Sequence, residues 1–118
     1  MSQYRIIFLP LAEKSYIRLA RSDKKLIQRF DQKLQELAEQ PYPSEVIIIK
    51  RTSRYDLCRS KVGQSWRILY AVANDLLVVL IADVTSRENA YGNIDTLLSR
   101  LELFLDTVEK GDQEADIP

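Results

Sequence analysis

Histidine is missing from the 118-residue chain, which has only one cysteine and three glycines. Without histidine there is no His-based general acid or base, no Ser-His-Asp or Cys-His arrangement and no His-containing metal site. One cysteine, Cys58, is too few for an intrachain disulfide or a thiolate zinc site. Three glycines are too few for a phosphate-binding P-loop or a dinucleotide fingerprint. Any enzymatic chemistry must therefore come from arginine, lysine, tyrosine and carboxylates, and no cofactor or metal is expected.

Long apolar runs are also missing. The longest run, residues 76–82, is far shorter than the ~20 residues needed to cross a bilayer. The N-terminus lacks the basic start, apolar stretch and cleavage site of a secretory signal. With one cysteine nothing indicates an oxidising compartment, so we expect a cytoplasmic protein. The length predicts a single domain over residues 1–110, followed by an acidic, disordered tail at 111–118.

The net charge is zero, from 17 basic and 17 acidic residues, but the charges are segregated along the chain. Six basic residues and one acid lie between Lys50 and Arg67, whereas residues 102–118 contain six acids and one base. The basic stretch predicts an anionic partner for the middle of the chain, although a solvated polar face produces the same pattern. A mobile acidic tail would reach this basic stretch and partly screen it.

Hydrophobic periodicity predicts a strand, two helices, a group of strands and a final helix. A β-branched strand is expected at 4–9, followed by two amphipathic helices with Ser22 or Asp23 capping the second. Strand-like segments follow at 46–49, 55–62, 66–72 and 76–84. An apolar stripe over 94–108 predicts a last helix that ends at Gly111. The fold class is therefore α+β, with an N-terminal strand and helical hairpin packed on a small, mainly antiparallel sheet, and a C-terminal helix.

A motif that spans two of the predicted strands resembles that of a known family. Lys61-Val-Gly stands where the family has Arg-Val-Gly, and Trp66-Arg-Ile-Leu-Tyr stands where it has Tyr-Arg-x-x-Tyr. A Leu-Val-Val-Leu-Ile strand and Arg87-Glu-Asn-Ala-Tyr follow in the same order. On these residues the chain resembles the RelE/ParE toxin superfamily of type II toxin–antitoxin systems, in its RelE-type branch, over residues 4–101.

The resemblance implies a RelE-like fold and a small cytoplasmic toxin. Its partners would be a cognate antitoxin, the ribosome and mRNA, and the toxin–antitoxin complex would bind operator DNA. The RelE branch cuts mRNA in the ribosomal A site without metal, so we expect a ribosome-dependent mRNA endoribonuclease. The alternatives are a ParE-type inhibitor of DNA gyrase and a catalytically lapsed homologue that acts in a repressor complex. The neutral net charge favours these alternatives, because ribosome-targeting toxins are usually basic.

Five residues form the candidate catalytic set. They are Arg59, Lys61, Arg67, Arg87 and Tyr91. In the resemblance, Arg67 and Arg87 match two arginines that hold the scissile phosphate, and Tyr91 matches a functional tyrosine. Arg59 and Lys61 stand where the branch has its basic pair. The chemistry agrees, because attack of a 2′-hydroxyl on the adjacent phosphate develops negative charge that preorganised cations stabilise.

Two of these candidates, and the neighbouring Trp66, also have a purely structural interpretation. Arg67 in a strand would pair with Asp83 or Glu88, since structural ion pairs also create basic clusters. Tyr91 would pack under the last helix, because tyrosine is often half-buried. Trp66 is expected to anchor the core rather than stack on a base, although an exposed tryptophan would be suited to stacking.

Overall fold

The computed structural model describes residues 4–76, 78–86 and 94–115, with side chains up to residue 107 in the last range. Its elements are β1 (Arg5–Phe8), α1 (Pro10–Ser22), α2 (Lys24–Glu39), β2 (Ile47–Arg51), β3 (Asp56–Val62), β4 (Trp66–Ala73), β5 (Val78–Ser86) and α3 (Ile94–Ala115). The α+β class and the C-terminal helix are therefore confirmed. Across the described ranges, no helix is long and apolar enough to cross a membrane.

The five strands form one mixed sheet in the order β1-β5-β4-β3-β2. β1 runs parallel to β5, and the other neighbouring strands are antiparallel. β4 and β5 are buried along almost their whole length, as expected for inner strands covered on both faces. We call the end of the sheet at the β3–β4 turn, residues 63–65, the tip end. The opposite end, at the 3-10 turn Asn74–Leu76 after β4, is the base end.

Two hydrophobic cores lie on the two faces of the sheet. The core beneath α3 includes Leu57, Leu69, Ala71, Leu80, Leu97, Leu101 and Leu105. The core beneath α1 and α2 includes Phe30, Leu37, Cys58, Ile68, Tyr70 and Ile81. Successive residues of β3 and β4 alternate between the two cores, because side chains along a strand point to opposite faces. Cys58 is fully buried, as a small core residue should be.

Local sequence signals account for the starts of the first two helices. Pro10 occupies the first turn of α1, where its missing N–H costs no hydrogen bond. The backbone N–H of Leu26 donates to Asp23 Oδ1 at 3.1 Å, so Asp23 caps α2. The prediction that α3 ends at Gly111 is not met, because the helix continues to Ala115. A glycine inside a helix costs about 1 kcal/mol, which does not by itself force an end.

Two strands are displaced from their predicted positions. β2 covers Ile47–Arg51 and β5 covers Val78–Ser86, so each begins and ends later in the chain than predicted. Leu76 belongs to the 3-10 turn rather than to β5. At its other end, β5 continues because Ser86 pairs with Trp66 of β4. The hydrophobic pattern misses this extension, since the last residues of β5 are polar.

Candidate functional site

Three basic side chains lie on one face of the sheet at its tip end. Lys61 and Arg67 are direct cross-strand partners, and Arg59 pairs with Leu69. Paired residues of antiparallel strands present their side chains on the same face. Leu69 belongs to the core beneath α3, so the three cations share that face. The structure thus brings together three of the five candidate residues.

The other two candidates, Arg87 and Tyr91, lie outside the described residues. Arg87 follows directly after Ser86, the last residue of β5, which pairs with Trp66 at the tip end.

Exposure differs among the three cations. Lys61 is exposed and Arg59 is half-buried, whereas Arg67 is only 6% exposed. The Arg67 guanidinium turns towards the β3–β4 turn, where Nη1 donates to the carbonyl oxygens of Trp66 at 2.8 Å and Gln64 at 3.2 Å. Its Nε is enclosed and has no hydrogen-bond partner among the described residues.

Arg67 is therefore held by carbonyl dipoles rather than by a carboxylate. The suggested structural pair with Asp83 is not formed, and Glu88 lies outside the described residues. A buried donor without a partner costs about 1–3 kcal/mol, so a structure that keeps one needs a compensating interaction. The planar guanidinium also matches the geometry of phosphate oxygens. The geometry makes Arg67 an oriented cation with spare capacity for an anionic acceptor.

Strand β5 adds Asp83 and Thr85 to this face. Thr85 pairs with Arg67, and Asp83 pairs with Leu69. Ala82 is an extra residue at a β-bulge, because the pairing shifts by one residue there. Ala82 and Asp83 therefore both lie towards the α3 face, whereas simple alternation would place them on opposite faces. Sequence reasoning therefore missed Thr85 as a residue of this face, and it named Asp83 only as a structural ion-pair partner of Arg67.

Asp83 is a carboxyl group beside this cluster of cations. Burial raises its pKa above the usual range, while the hydrogen bond from the Val84 N–H and the charge of Arg100 act in the opposite direction. The Val84 N–H donates to Asp83 Oδ1 at 2.9 Å. Burial outweighs these two contacts, so Asp83 retains its proton to a higher pH than an exposed aspartate does.

The base end of the sheet carries a polar network of a different kind. The Tyr42 hydroxyl donates to Asp56 Oδ2 at 2.7 Å and accepts from Asn74 Nδ2 at 3.1 Å. Asn74 Oδ1 in turn accepts from the Tyr4 hydroxyl at 2.7 Å. Burial, and after it the bond to Asp56, raises the pKa of Tyr42 to about 12. These groups satisfy one another and so form a structural network.

The beginning of the acidic C-terminal segment neutralises one member of the basic stretch. Arg54 Nη1 donates to Glu102 Oε2 at 2.6 Å and lies 3.0 Å from Asp106 Oδ1. Both carboxylates belong to α3, and Arg54 lies just before β3 near the base end. These two acidic groups are thereby committed to a contact away from the cations of the tip end.

A model of the ParE toxin of the type II toxin–antitoxin system parDE matches residues 6–91. This match covers most of the chain and includes the strand pair that carries Arg59, Lys61 and Arg67. The chain therefore belongs to the ParE toxin family, within the RelE/ParE superfamily, and the predicted resemblance is confirmed. None of the curated proteins matches the sequence significantly.

Solved structures of toxins share the fold. A chain of the archaeal RelE–RelB complex from Pyrococcus horikoshii OT3 is 27% identical with a TM-score of 0.65, over 75% of this chain and 99% of that one. A mutant E. coli toxin RelE in the free state is 23% identical with a TM-score of 0.60, over 85% and 94% of the two chains. The YoeB dimer from Staphylococcus aureus is 20% identical with a TM-score of 0.57, over 70% and 94%. The last two likenesses concern the fold alone.

Proposed function

We propose that this chain is a RelE-type toxin that cleaves mRNA on the ribosome without a metal ion. The observation that carries the proposal is the oriented, buried guanidinium of Arg67, on the same face as Lys61 and Arg59, with an Nε that has no hydrogen-bond partner among the described residues. The likeness to the archaeal RelE chain supports the same branch. A site of this kind is suited to an oligoanion whose phosphate needs extra charge stabilisation in the transition state.

In the proposed reaction, the 2′-oxygen of one nucleotide loses its proton to a base and forms a bond to the adjacent phosphorus. The P–O5′ bond breaks, and the 5′-oxygen takes up a proton. The products are a 2′,3′-cyclic phosphate and a 5′-hydroxyl. Arg67 stabilises the charge that accumulates on the non-bridging oxygens, and Lys61 and Arg59 hold the flanking phosphate charge. A single preorganised donor of this type is worth about 10²–10³ in rate.

Arg87 and Tyr91 complete this proposal. Arg87 is assigned as the second ligand of the scissile phosphate, and Tyr91 as a group that transfers a proton. Their place in the chain supports the assignment, because β5 ends beside Trp66 and Arg67 and Arg87 is the next residue.

We also propose a cognate antitoxin as the partner, acidic and partly disordered before binding. The archaeal relative was solved as a RelE–RelB complex. On this chain, Leu103 is 69% exposed and Leu11 is 46% exposed, and they flank an apolar groove of about 300 Å³ between α1 and α3. An extended or helical antitoxin segment would bury this surface. Co-expression with the product of the neighbouring gene should yield a stable complex able to bind operator DNA, and a toxin that stays monomeric would contradict the proposal.

The nuclease proposal is tested by primer extension on mRNA after brief induction. The wild-type chain should produce cuts, and Arg87→Ala should reduce the cleavage rate about 10²–10³-fold. Its free energy of unfolding should change by no more than about 0.5 kcal/mol, since Arg87 follows the last residue of β5 in the chain. Tyr91→Phe keeps the ring and removes only the hydroxyl, so it separates packing from chemistry. A folded Arg87→Ala protein that cuts at the wild-type rate would contradict the assignment.

A ParE-type inhibitor that binds DNA gyrase and does no chemistry is the second candidate. The family model that matches the chain is a ParE model, and the neutral net charge favours a protein target over the ribosome. A supercoiling assay with purified gyrase discriminates the two. Inhibition of gyrase with intact mRNA would establish the second candidate, and a chain inactive in both assays would be a lapsed homologue of a repressor complex.

A further inference from the structure

The opposite face of the tip end carries a cleft that the proposed chemistry does not use. Its volume is about 550 Å³, and it lies between the start of α2 and the β3–β4 turn. Lys25 and Arg29 of α2 line one side, and Gly63 and Trp66 of the β-hairpin line the other. We call this feature the tip cleft.

The turn at the bottom of the tip cleft is shaped around Arg29. Gly63 has a φ of +64°, and a Cβ built on it would stand 3.1 Å from Arg29 Nη1. Glycine is favoured at this position because it adopts the left-handed backbone, and the exposed Arg29 guanidinium lies close to it. The contact places a cation directly against the hairpin that carries Lys61 and Arg67 on its other face.

The charge of the helical hairpin is as segregated as that of the strands. Residues 14–29 contain six basic residues and one acid, Asp23, which lines the tip cleft but is engaged as the cap of α2. Within the described ranges, neither Lys25 nor Arg29 forms a salt bridge. Lys25 and Arg29 lie on the α1–α2 face of the β3–β4 turn, and Lys61 and Arg67 lie on the opposite face, so cations flank both faces of the tip end. A surface of this kind is suited to a chain of phosphates that passes from one face to the other.

Trp66, the single tryptophan, packs on the α1–α2 face of the sheet and lines the tip cleft. Its indole is half-buried and makes an edge-on contact with Phe30, with ring centroids 6.2 Å apart. Trp66 also borders a smaller cleft of about 240 Å³ with Arg18 and Thr85. The structure therefore combines a positioned aromatic ring with cations on two sides, which is the arrangement that binds single-stranded nucleic acids.

We propose that the tip cleft is a second subsite for single-stranded RNA adjoining the scissile phosphate. Lys25 and Arg29 contact its backbone phosphates, and Trp66 stacks on one base. The proposal rests on the proposed nuclease function, because the same strand passes the candidate catalytic residues. RNA fits better than an acidic protein segment, since a peptide would use the cations but would have no base to stack on the indole.

Trp66 provides a direct test, because it is the only tryptophan. The full chain is titrated with a short, fully 2′-O-methylated oligouridylate, which has no 2′-hydroxyl to react, and tryptophan fluorescence is followed. Inorganic polyphosphate and polyglutamate are titrated in parallel as polyanions without bases. We expect the oligonucleotide to quench the fluorescence by stacking, and the two polyanions to leave it unchanged.

A pair of matched double variants tests the cations. Lys25→Gln with Arg29→Gln removes two charges from the tip cleft, and Arg5→Gln with Lys50→Gln removes two exposed charges elsewhere on the sheet. Binding of the fluorescein-labelled oligonucleotide is measured by anisotropy at several salt concentrations. In the Lys25→Gln, Arg29→Gln variant, the negative slope of log K against log salt should become shallower by about 1.4, because each single-strand phosphate contact contributes about 0.7 to its magnitude. In the Arg5→Gln, Lys50→Gln control, the slope should change much less.

Three results would overturn the proposal. The first is Trp66 fluorescence that stays unchanged when anisotropy shows that the chain is saturated with RNA. The second is an equal loss of RNA affinity in the two double variants, provided that both variants are equally stable to urea. The third is polyglutamate binding that depends on Lys25 and Arg29 without comparable RNA binding, which would assign the cleft to an acidic protein segment. Failure of the proposed nuclease function is a separate result. If mRNA stays uncut but RNA still binds through Lys25 and Arg29, the nuclease proposal is contradicted and the RNA subsite stands.

Discussion

The tyrosine network at the base end of the sheet and the cations at the tip end differ in how their polar groups are paired. At the base end, Tyr42, Asn74 and Asp56 donate to and accept from one another. At the tip end, Lys61 forms no salt bridge within the described residues, and the buried Nε of Arg67 has no hydrogen-bond partner there.

This difference separates stability from function. The network at the base end adds rigidity because it links the half-buried Tyr42 and Asp56 to the exposed Asn74 by hydrogen bonds. A buried cation with an unused donor lowers stability, and it is retained where binding of an anion compensates the cost. Substitutions at the tip end should therefore affect activity more than stability, and substitutions at the base end should do the reverse.

The largest expected effect is that of Arg67→Ala. Cleavage should fall about 10²–10³-fold, because a charge-stabilising donor is lost. The free energy of unfolding should fall by only about 0.5–3 kcal/mol, since the truncation leaves a space but also removes an unsatisfied donor. Primer extension and urea denaturation measure the two quantities. Arg67→Lys keeps the positive charge but loses the planar guanidinium, so its cleavage rate should lie between those of the wild type and Arg67→Ala. Wild-type cleavage by folded Arg67→Ala would show that the Arg67 guanidinium has no role in the chemistry.

Tyr42→Phe should have the opposite profile. Loss of the hydroxyl deprives the half-buried Asp56 of a donor and the exposed Asn74 of an acceptor, so the free energy of unfolding should fall by about 0.5–1.5 kcal/mol. The cleavage rate should stay at the wild-type value. Tyr55→Phe is the matched control in urea denaturation, since the Tyr55 hydroxyl has no hydrogen bond to the described residues. Equal stability of the two variants would show that the network contributes nothing.

The smallest effect concerns Asp83 and the pH. Because burial raises the pKa of Asp83 in the folded state, the folded protein binds this proton more tightly than the unfolded chain does. Stability is therefore lost as pH rises from the unfolded carboxyl pKa of about 4 through the raised folded value. Asp83→Asn removes this loss. The free energy of unfolding of Asp83→Asn minus that of the wild type, measured by urea denaturation, should therefore grow with pH over that window and then stay constant.

Asp75→Asn, which removes an exposed aspartate at the base end, controls for the loss of one negative charge. Stability curves for Asp83→Asn and wild type that run parallel at every pH would contradict the assignment of a raised pKa to Asp83.

Much of the fold follows from local pattern. The apolar stripes of the helices, the capping aspartate Asp23 and the alternation along β3 were all sufficient to place these elements and their faces. The predicted common face of Arg59, Lys61 and Arg67 follows from the same alternation. The bulge at Ala82 breaks this rule in β5, so Asp83 could not be placed by counting residues.

What local pattern establishes, then, is which residues form each strand and helix and which side of it is apolar, because those preferences depend on near neighbours. Tertiary structure alone decides contacts between distant segments. The parallel pairing of β1 with β5, the Arg29 guanidinium near Gly63 and the enclosure of Arg67 Nε away from any described hydrogen-bond partner all belong to this group. None of them has a local signature, because each depends on how the sheet and helices enclose one another in space.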